Sequence, residues 1–356
     1  MKIGINSRYL KNDLCGFYNT TRDLIKMIIQ IADQNTDEIL FFGGDEKHIK
    51  LLMQKQKIKY KFFKDKFHWI LADLGLIYKK KFIKDIDIFH SPVCISPLNL
   101  SKKTKSIVIV HDLDFFEYPY FFSKKFLLIY RFLFKKSILR ANHIICISKT
   151  TEKKLNEFVP ESLNKSFLIY PNIEPLIFKE KKFKSREKYF LTISPEHPRK
   201  NFDLILKSFF LLEEKNLNAK LIIIGKVPKW SEELLKEKKY IKFLGMVSNS
   251  KKESLLSKAT ATIIASHSEG FCYPVFESLR NGTPVITTNI DIFKETIGSL
   301  EKFIFNPKDP YKLADILEKI LSQEKIIDSL FEYQLKKAKK IEEFNRLSKF
   351  KNLHLI

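Results

Sequence analysis

Short apolar runs alternate with amphipathic segments in the first half of the chain. The runs KIGIN, EILFF, IDIFH, SIVIV and HIICIS have the length and composition of buried strands. The segments TTRDLIKMIIQIADQ and KTTEKKLNEF repeat their apolar positions with helical spacing, and Ser148 is a candidate N-cap for the second. Buried strands that alternate with helices predict a parallel sheet covered by helices on both faces.

The same alternation begins again in the second half. A segment rich in proline and lysine, YPNIEPLIFKEKKFKSREK, interrupts the pattern and is typical of a linker. We therefore predict an α/β protein with two doubly wound domains, residues 1–172 and 173–340. Residues 341–356 are expected to form a C-terminal helix that packs back on the first domain. Because ligands of such sheets lie at the carboxyl ends of the strands, the two domains are expected to face a central cleft.

Composition narrows the class of protein. The 356 residues are 44% hydrophobic and 29% charged, which is typical of a globular protein of two ordinary domains. The four cysteines lack C-x-x-C spacing, so no zinc site is expected and a reduced cytosolic compartment fits. The N-terminus lacks the apolar core of a signal peptide, and no run of about 18 apolar residues predicts a membrane span.

The chain is strongly basic, with a formal net charge of +23. One explanation is a lysine-biased composition, and the other is attraction to an anionic partner such as nucleic acid, acidic lipid or a phosphorylated ligand. Only 8 of the 64 basic residues are arginine. Because arginine is the residue that most often reads bases, we expect no nucleic-acid partner.

The stretch SHSEGFCYPVFESLRNGTPVIT is the first candidate site. It runs from a predicted strand through a glycine turn into a helix near Pro274, which makes an anion site of free N–H groups. Glycine is scarce, with 10 in the chain, so Gly270 indicates close approach of backbone to a phosphate. Glu277 would accept hydrogen bonds from ribose hydroxyls and Glu269 from another hydroxyl-rich group. The alternative is a capped helix whose glutamates favour its N-terminus.

The segment TISPEHPRKNFDLIL is the second candidate site. Arg199 and Lys200 lie between a predicted strand end and a helix N-terminus, a position that suits a diphosphate. The alternative is a solvated loop in a lysine-rich chain.

Two further candidates lie in the first domain. His111 ends the apolar run SIVIV, and Gly16 lies in the loop between the first strand and the first helix. A satisfied core histidine and a simple turn are the respective alternatives.

Taken in order, these segments resemble a known family. SEGFCYPVFESLRNGTPVITTN is similar to the signature of retaining glycosyltransferase family 4, and PEHPRKN resembles its phosphate-binding segment. HDLDFFEYP, ICISKTTEKKL and KFLGMVS also resemble family segments, so the likeness covers nearly the whole chain. It implies a GT-B architecture with the acceptor bound mainly by the first domain and a nucleotide-sugar donor mainly by the second. It further implies retention at the anomeric carbon, no required metal and no cofactor beyond a donor such as a GDP- or UDP-linked hexose.

The resemblance also implies roles for single residues. His111 would lie near the donor sugar and the transferring bond, Glu269 near the donor sugar, and Lys200 beside the diphosphate. These three are the expected catalytic residues. The expected donor-binding residues are Gly16, Arg199, Lys200, Glu269, Gly270, Phe271, Cys272 and Glu277.

The chain departs from the family pattern at several positions. Many members have glycine where Cys272 and Tyr18 stand, and many carry a separate arginine near Ser194 or Pro195. Arg199 is the candidate to replace that arginine.

The expected function is therefore a glycosyltransferase of cell-surface polysaccharide, lipopolysaccharide or glycolipid synthesis. One alternative is a sugar-nucleotide epimerase of the same architecture. Another is a basic membrane- or nucleic-acid-binding protein without catalysis. A plain dehydrogenase is disfavoured because the first strand is not followed by G-x-G-x-x-G.

Residues 118–140, YPYFFSKKFLLIYRFLFKKSILR, predict a basic, aromatic helix. One face would carry Phe126, Leu127, Tyr130, Phe134 and Ile138, with the basic residues mainly to the sides and back. Such a helix suits an anionic membrane surface, which predicts a cytoplasmic protein peripheral on the inner face of the cytoplasmic membrane. The alternative is an ordinary buried helix with solvated lysines.

Overall fold

The structure is a computed structural model that describes residues 1–11, 16–64, 85–176, 187–236, 238–323 and 326–355. The chain divides into two compact units, Met1–Asn172 with Asn345–Ile356, and Ile173–Phe344. The boundaries expected from sequence were 172 and 340. Much of the predicted linker, residues 177–186, lies outside the described residues.

Parallel strands form one sheet in each unit, so the predicted α/β class is confirmed. The strands described in the first unit are β1 (Lys2–Asn6), β2 (Glu38–Phe42), β3 (Lys59–Phe63), β4 (Ile88–Ser91), β5 (Lys105–Val110), β6 (His143–Cys146) and β7 (Ser166–Leu168). Those described in the second unit are β8 (Tyr189–Ile193), β9 (Lys220–Ile224), β10 (Ile241–Phe243), β11 (Ala261–Ile264), β12 (Val285–Thr288) and β13 (Ile304–Phe305).

Helices cover these sheets. Within the described residues they are α1 (Gly16–Ile31), α2 (Glu46–Met53), α3 (Asp114–Glu117), α4 (Lys124–Arg140), α5 (Lys149–Phe158), α6 (Phe202–Glu214), α7 (Glu232–Lys236), α8 (Asn249–Lys258), α9 (Tyr273–Arg280), α10 (Asp291–Ile297), α11 (Pro310–Ser322), α12 (Ile326–Glu342) and α13 (Arg346–Leu355). The last of these, α13, belongs to the first unit.

In each sheet the order of the strands reverses direction once. Ligands of such folds bind at the point of reversal. The first sheet runs β3-β2-β1-β4-β5-β6-β7 and the second β10-β9-β8-β11-β12-β13. In the second sheet the order reverses between β8 and β11, which pair in parallel with Phe190 opposite Ala261. Both strands are buried on both faces, since Phe190, Leu191 and Ile263 are fully buried. The carboxyl ends of β8 and β11 therefore form the topological switch point of this sheet.

A glycine lets two turns meet beside that switch point. Ser194, directly after β8, has a φ of 45°, and its N–H donates to Ile224 O at 2.7 Å. Gly225, directly after β9, has a φ of +90°, and a Cβ built on it would lie 2.1 Å from Ser194 Oγ. Only glycine fits this backbone, which fixes the path of the chain toward the basic pair at Arg199 and Lys200.

Helix α4 has its predicted apolar face packed inward. Phe134 and Ile138 are buried in the core of the first unit, and Leu127 and Tyr130 pack against that core. Phe126 stacks on Tyr130 with ring centroids 4.9 Å apart. For these residues the alternative prediction, an ordinary helix packed on the core, is therefore correct, because the core of the first unit supplies their apolar environment. Across the parts of the chain that the structure describes, no helix combines the length and hydropathy needed to cross a membrane.

We predict that Gly225→Ala lowers the thermal midpoint of the second unit more than Gly245→Ala does. Both glycines have positive φ, but a Cβ at Gly245 would meet no atom within 4 Å. Gly245→Ala should therefore cost only the left-handed backbone penalty of about 1–2 kcal/mol. At Gly225 the displacement of Ser194 adds to that penalty. Scanning calorimetry of the two variants checks this, and equal midpoints would show that the close approach is not needed.

Candidate active site

The candidate site lies at the switch point of the second sheet. A small cavity there is bounded by the ends of β8 and β11 and by the turns that follow them. Its lining includes Thr192, Pro195, Lys200, Ser266, Cys272 and Pro274. The sequence-predicted residues of this unit come from those two turns and from α9.

The basic pair lies on a tight helical turn, Pro198–Lys200. His197 precedes the turn, and its Nδ1 accepts a hydrogen bond from the Arg199 N–H at 3.2 Å. Asn201 follows it in a left-handed conformation, and its Nδ2 donates to Pro307 O at 2.7 Å. The Arg199 carbonyl accepts from the His267 N–H at 2.8 Å, which ties this turn to the one after β11.

Glu269 brings the two turns together through its carboxylate. Arg199 Nη1 lies 2.9 Å from Glu269 Oε2, and Lys200 Nζ lies 2.5 Å from Glu269 Oε1. Ser266 Oγ donates to Oε1 at 2.7 Å. The Glu269 side chain is 4% exposed, whereas those of Arg199 and Lys200 are 24% and 19% exposed. Two cations thus share one buried carboxylate and keep part of their own surface exposed to solvent.

The charges around Glu269 decide its ionisation. Burial, the largest single influence, raises its pKa, but the nearby charges of Arg199 and Lys200 lower it. Hydrogen bonds from Lys200 and Ser266 lower it further, so the pKa falls from its ordinary value of 4.5 to about 2. Glu269 is therefore an anion at neutral pH, and it orients both cations by charge as well as by hydrogen bonds.

The turn from Gly270 leads into α9 through an unusual backbone. Cys272 has a φ of 63° and ψ of 71°, a left-handed conformation that favours glycine. This conformation gives a physical reason for the glycine that many family 4 members have at this position. Phe271 is buried and stacks on Phe276 at 4.7 Å, while burial raises the pKa of the Cys272 thiol. Pro274 stands in the first turn of α9, where its missing N–H removes no helical hydrogen bond.

Glu277 forms an ion pair with a different basic residue from those that pair with Glu269. It lies on α9, and its Oε1 accepts a hydrogen bond from Lys252 Nζ of α8 at 2.8 Å. The two side chains are 29% and 24% exposed. The structure therefore gives each of the two glutamates its own basic partner.

His111 lies in the first unit, directly after β5. Its Nε2 is 2.7 Å from Pro92 O, and its ring packs edge-on against Phe17 with centroids 4.6 Å apart. Burial lowers the pKa of His111 to about 4, outweighing the Pro92 hydrogen bond, which raises it. The ring is therefore neutral at pH 7, and Nε2 carries the proton because a carbonyl can only accept. Gly16 is the first residue of α1, and the loop before it, residues 12–15, lies outside the described residues.

Within the described ranges, no three histidine, cysteine, aspartate or glutamate side chains cluster in a way that could hold a metal ion.

Comparison with known proteins finds a family match in the second unit. Residues 174–343 match the family model described as glycosyl transferases group 1, and this segment contains the whole Arg199–Lys200–Glu269 cluster. The match spans nearly the whole second unit, which we therefore call the group 1 domain.

Relatives of the chain include two bacterial mannosyltransferases. The chain is 29% identical over 223 residues to the O-antigen chain mannosyltransferase RfbU of Salmonella typhimurium, covering 61% of each protein. It is 23% identical over 221 residues to the serotype-specific mannosyltransferase WbdA of Escherichia coli, covering 56% of this chain and 27% of WbdA. The chain thus spans less than two thirds of the length of either relative.

Solved structures extend the likeness beyond the group 1 domain to the whole chain. Anabaena HepE in complex with UDP-glucose has a TM-score of 0.70 at 14% identity, with 100% of this chain and 99% of HepE covered. Sucrose-phosphate synthase of Thermosynechococcus elongatus has a TM-score of 0.73 at 13% identity, with 100% and 98% covered. The GT-B fold predicted from sequence is thereby confirmed.

Sequence reasoning missed two residues that contact predicted ones. Lys252, which pairs with Glu277 of the group 1 domain, was one lysine in a lysine-rich segment and carried no signal of its own. Phe17, which packs on His111, follows Gly16 directly and was not singled out.

We predict that Glu269→Gln removes an acid-dependent part of the stability of the group 1 domain. The pKa of this carboxyl is 4.5 in the unfolded chain and about 2 in the folded domain. Its contribution to the free energy of unfolding is therefore fully present above about pH 4.5. That contribution is lost as the pH falls toward about 2, because the unfolded chain then binds the extra proton. Denaturant midpoints measured from about pH 6 down to about pH 3 should fall less steeply for Glu269→Gln than for the natural protein. Parallel curves would show that the carboxylate is not ion-paired as described.

Proposed function

We propose that the chain is a retaining glycosyltransferase that moves a hexose from a nucleotide-sugar donor to a glycan or lipid-linked acceptor. The proposed setting is O-antigen- or lipopolysaccharide-type polysaccharide synthesis. The observation that carries the proposal is the Arg199–Lys200–Glu269 cluster at the switch point of a group 1 domain.

The proposed chemistry follows from that cluster. When the bond between the anomeric carbon and the diphosphate oxygen breaks, its electron pair leaves with the diphosphate. Arg199 and Lys200, already oriented by Glu269, would stabilise this charge most in the transition state, where it is growing. The acceptor hydroxyl would bond to the anomeric carbon on the face that the diphosphate leaves and pass its proton to the diphosphate. These fixed cations support a reaction without a metal ion or other cofactor.

The remaining residues suit donor recognition. The N-terminal N–H groups of α9 and the turn at Gly270 would contact phosphate, with Phe271 and Cys272 holding the turn in shape. Glu277, held by Lys252, would accept hydrogen bonds from the ribose hydroxyls. His111 has its Nε2–H committed to Pro92, so its Nδ1 would accept a hydrogen bond from a sugar hydroxyl. Gly16 is proposed to approach the donor phosphates through its backbone.

Mannose is the first sugar to test. RfbU and WbdA are both named mannosyltransferases, whereas the HepE structure contains UDP-glucose. The chain itself is proposed to act in the cytoplasm, peripheral on the inner face of the cytoplasmic membrane, where a lipid-linked acceptor would be presented.

A donor screen followed by a transfer assay tests this function. We expect a nucleotide sugar such as GDP-mannose or UDP-glucose at 100 times its Kd to stabilise the full chain by about 2.7 kcal/mol in a thermal-shift assay. Transfer to an acceptor should proceed equally in EDTA, and NMR of the product should show the anomeric configuration of the donor. Failure of every nucleotide sugar to bind, or epimerisation without an acceptor, would overturn the proposal. Activity lost in EDTA and restored by magnesium or manganese would contradict a metal-free reaction, and an inverted product would contradict retention.

We predict that Lys200→Ala and Glu277→Ala each lower kcat/KM for the donor by roughly tenfold to a hundredfold. A charge-assisted hydrogen bond is worth about 1.5–3 kcal/mol, which corresponds to that range. Matched controls are Lys207→Ala and Glu318→Ala, which remove exposed ion-paired residues on α6 and α11. Steady-state kinetics should leave the controls near the natural value, and site variants that fold correctly with unchanged kinetics would refute these assignments.

A further inference from the structure

Helix α4 is apolar on two opposite faces. Leu133, Phe134 and Ile138 are buried, whereas Leu128 is 77% exposed, Phe132 54% and Leu139 40%. At about 100° per residue, the three exposed residues fall within about 40° of one another, on the side opposite the buried face. A surface helix of a globular protein is normally polar on its outer side, so this second apolar face is unexplained by the fold.

Lysines border the exposed face. Lys124, Lys135 and Lys136 line a shallow groove of about 600 Å³ together with Leu128, Phe132 and Leu139, and Lys125 follows Lys124 on the same helix. We name this surface, from Lys124 to Leu139, the α4 stripe. The helix contains no aspartate or glutamate.

The lysines and arginines of α4 have different surroundings. Arg131 Nε donates to Phe115 O at 3.0 Å, and Arg140 Nη2 donates to Leu100 O at 3.0 Å, so both arginines fasten the helix to the first unit. Lys136 Nζ lies 5.8 Å from the centroid of the Phe132 ring. Among the described residues, the ion pairs do not include Lys124, Lys125, Lys135 or Lys136. These four lysines are thus available to an anionic partner.

We propose that the α4 stripe docks the protein on an anionic lipid bilayer. Leucine and phenylalanine side chains would enter the boundary between headgroups and acyl chains, while the lysines contact anionic headgroups. A bilayer supplies hydrocarbon and negative charge together, which matches both parts of the stripe. A second copy of the chain would instead bring its lysines against these lysines, at a net charge of +23 per chain.

This surface differs from the one that the sequence alone indicated. The face bearing Phe134 and Ile138 is committed to the core, so the residues that would enter the membrane are Leu128, Phe132 and Leu139. The proposal rests on the proposed function, for which it names the surface that would bring the enzyme to a lipid-linked acceptor.

Vesicle sedimentation with the full chain tests the stripe. We expect binding to vesicles of phosphatidylcholine mixed with phosphatidylglycerol, weaker binding to phosphatidylcholine alone, and loss of binding as salt rises. Leu128→Ser and Phe132→Ser should each weaken binding about tenfold, since each removes a large apolar side chain from the interface. Charge reversal of Lys124, Lys125, Lys135 and Lys136 to glutamate should weaken it by about a hundredfold or more.

Matched controls separate this surface from general basicity. Two controls should bind vesicles within a few-fold of the natural protein. The first reverses the charge of four exposed lysines on α12, namely Lys336, Lys337, Lys339 and Lys340. The second is Leu163→Ser, at a leucine that is 64% exposed. Equal binding to neutral and anionic vesicles, no binding to either, or equal losses in the control variants would overturn the proposal. Dimerisation abolished by Phe132→Ser in a chain that ignores vesicles would assign the stripe to a second copy instead.

A parallel assay keeps this proposal separate from the proposed function. Sugar transfer to a soluble acceptor should be unchanged in the α4 variants, because none of the substituted residues is among the proposed catalytic or donor-binding residues. Normal transfer without vesicle binding would overturn the docking surface alone. Vesicle binding without transfer from any nucleotide sugar would overturn the proposed function alone.

Discussion

The geometry of the candidate site depends on one buried carboxylate. Glu269 is 4% exposed at its side chain, and a charge so removed from water is tolerated only when opposite charges and hydrogen bonds compensate for its lost hydration. Arg199, Lys200 and Ser266 provide that compensation. The dependence is mutual, since without the carboxylate two neighbouring cations would repel each other. Under the proposed function, a cation pair held in this way would need little reorganisation as charge develops on the diphosphate.

The sheet makes this meeting of residues possible. Arg199 and Glu269 are 70 residues apart in sequence, but they follow strands that are neighbours in the sheet. Parallel pairing brings the carboxyl ends of both strands to one edge, and the close approach of Gly225 to Ser194 fixes the turn after β8. The backbone hydrogen bond from His267 to Arg199 then sets the two turns in register. The paired strands and the hydrogen bond between the two turns thus hold Arg199 and Glu269 within ion-pair distance.

The sequence predicted the fold class, but it did not predict the contacts among the candidate site residues. Apolar runs that alternate with helical segments were sufficient to predict two units with parallel sheets. A strand of such a sheet is buried on both faces, so its sequence is a continuous apolar run that is easy to recognise. Local patterns singled out Arg199, Lys200 and Glu269 as candidates, yet their ion pairs depend on strand order, which local periodicity does not encode. The partner of Glu277 depends in the same way on how α8 packs beside α9, and Lys252 is one of many lysines. On α4 the periodicity identified an apolar face, but it could not show that the core would take this face and leave a second one exposed.

The return of α13 to the first unit has a consequence for how the chain is made. Phe350 and Leu353 of this helix are buried, and the Phe350 ring lies 5.7 Å from that of His90. The first unit is therefore discontinuous in sequence, with the second unit inserted between its main part and its last helix. During synthesis from the N-terminus, the inserted unit emerges from the ribosome before the host unit is complete. The second unit, which holds Arg199 and Lys200, can therefore fold while the surface of the first unit that α13 covers is still exposed to solvent.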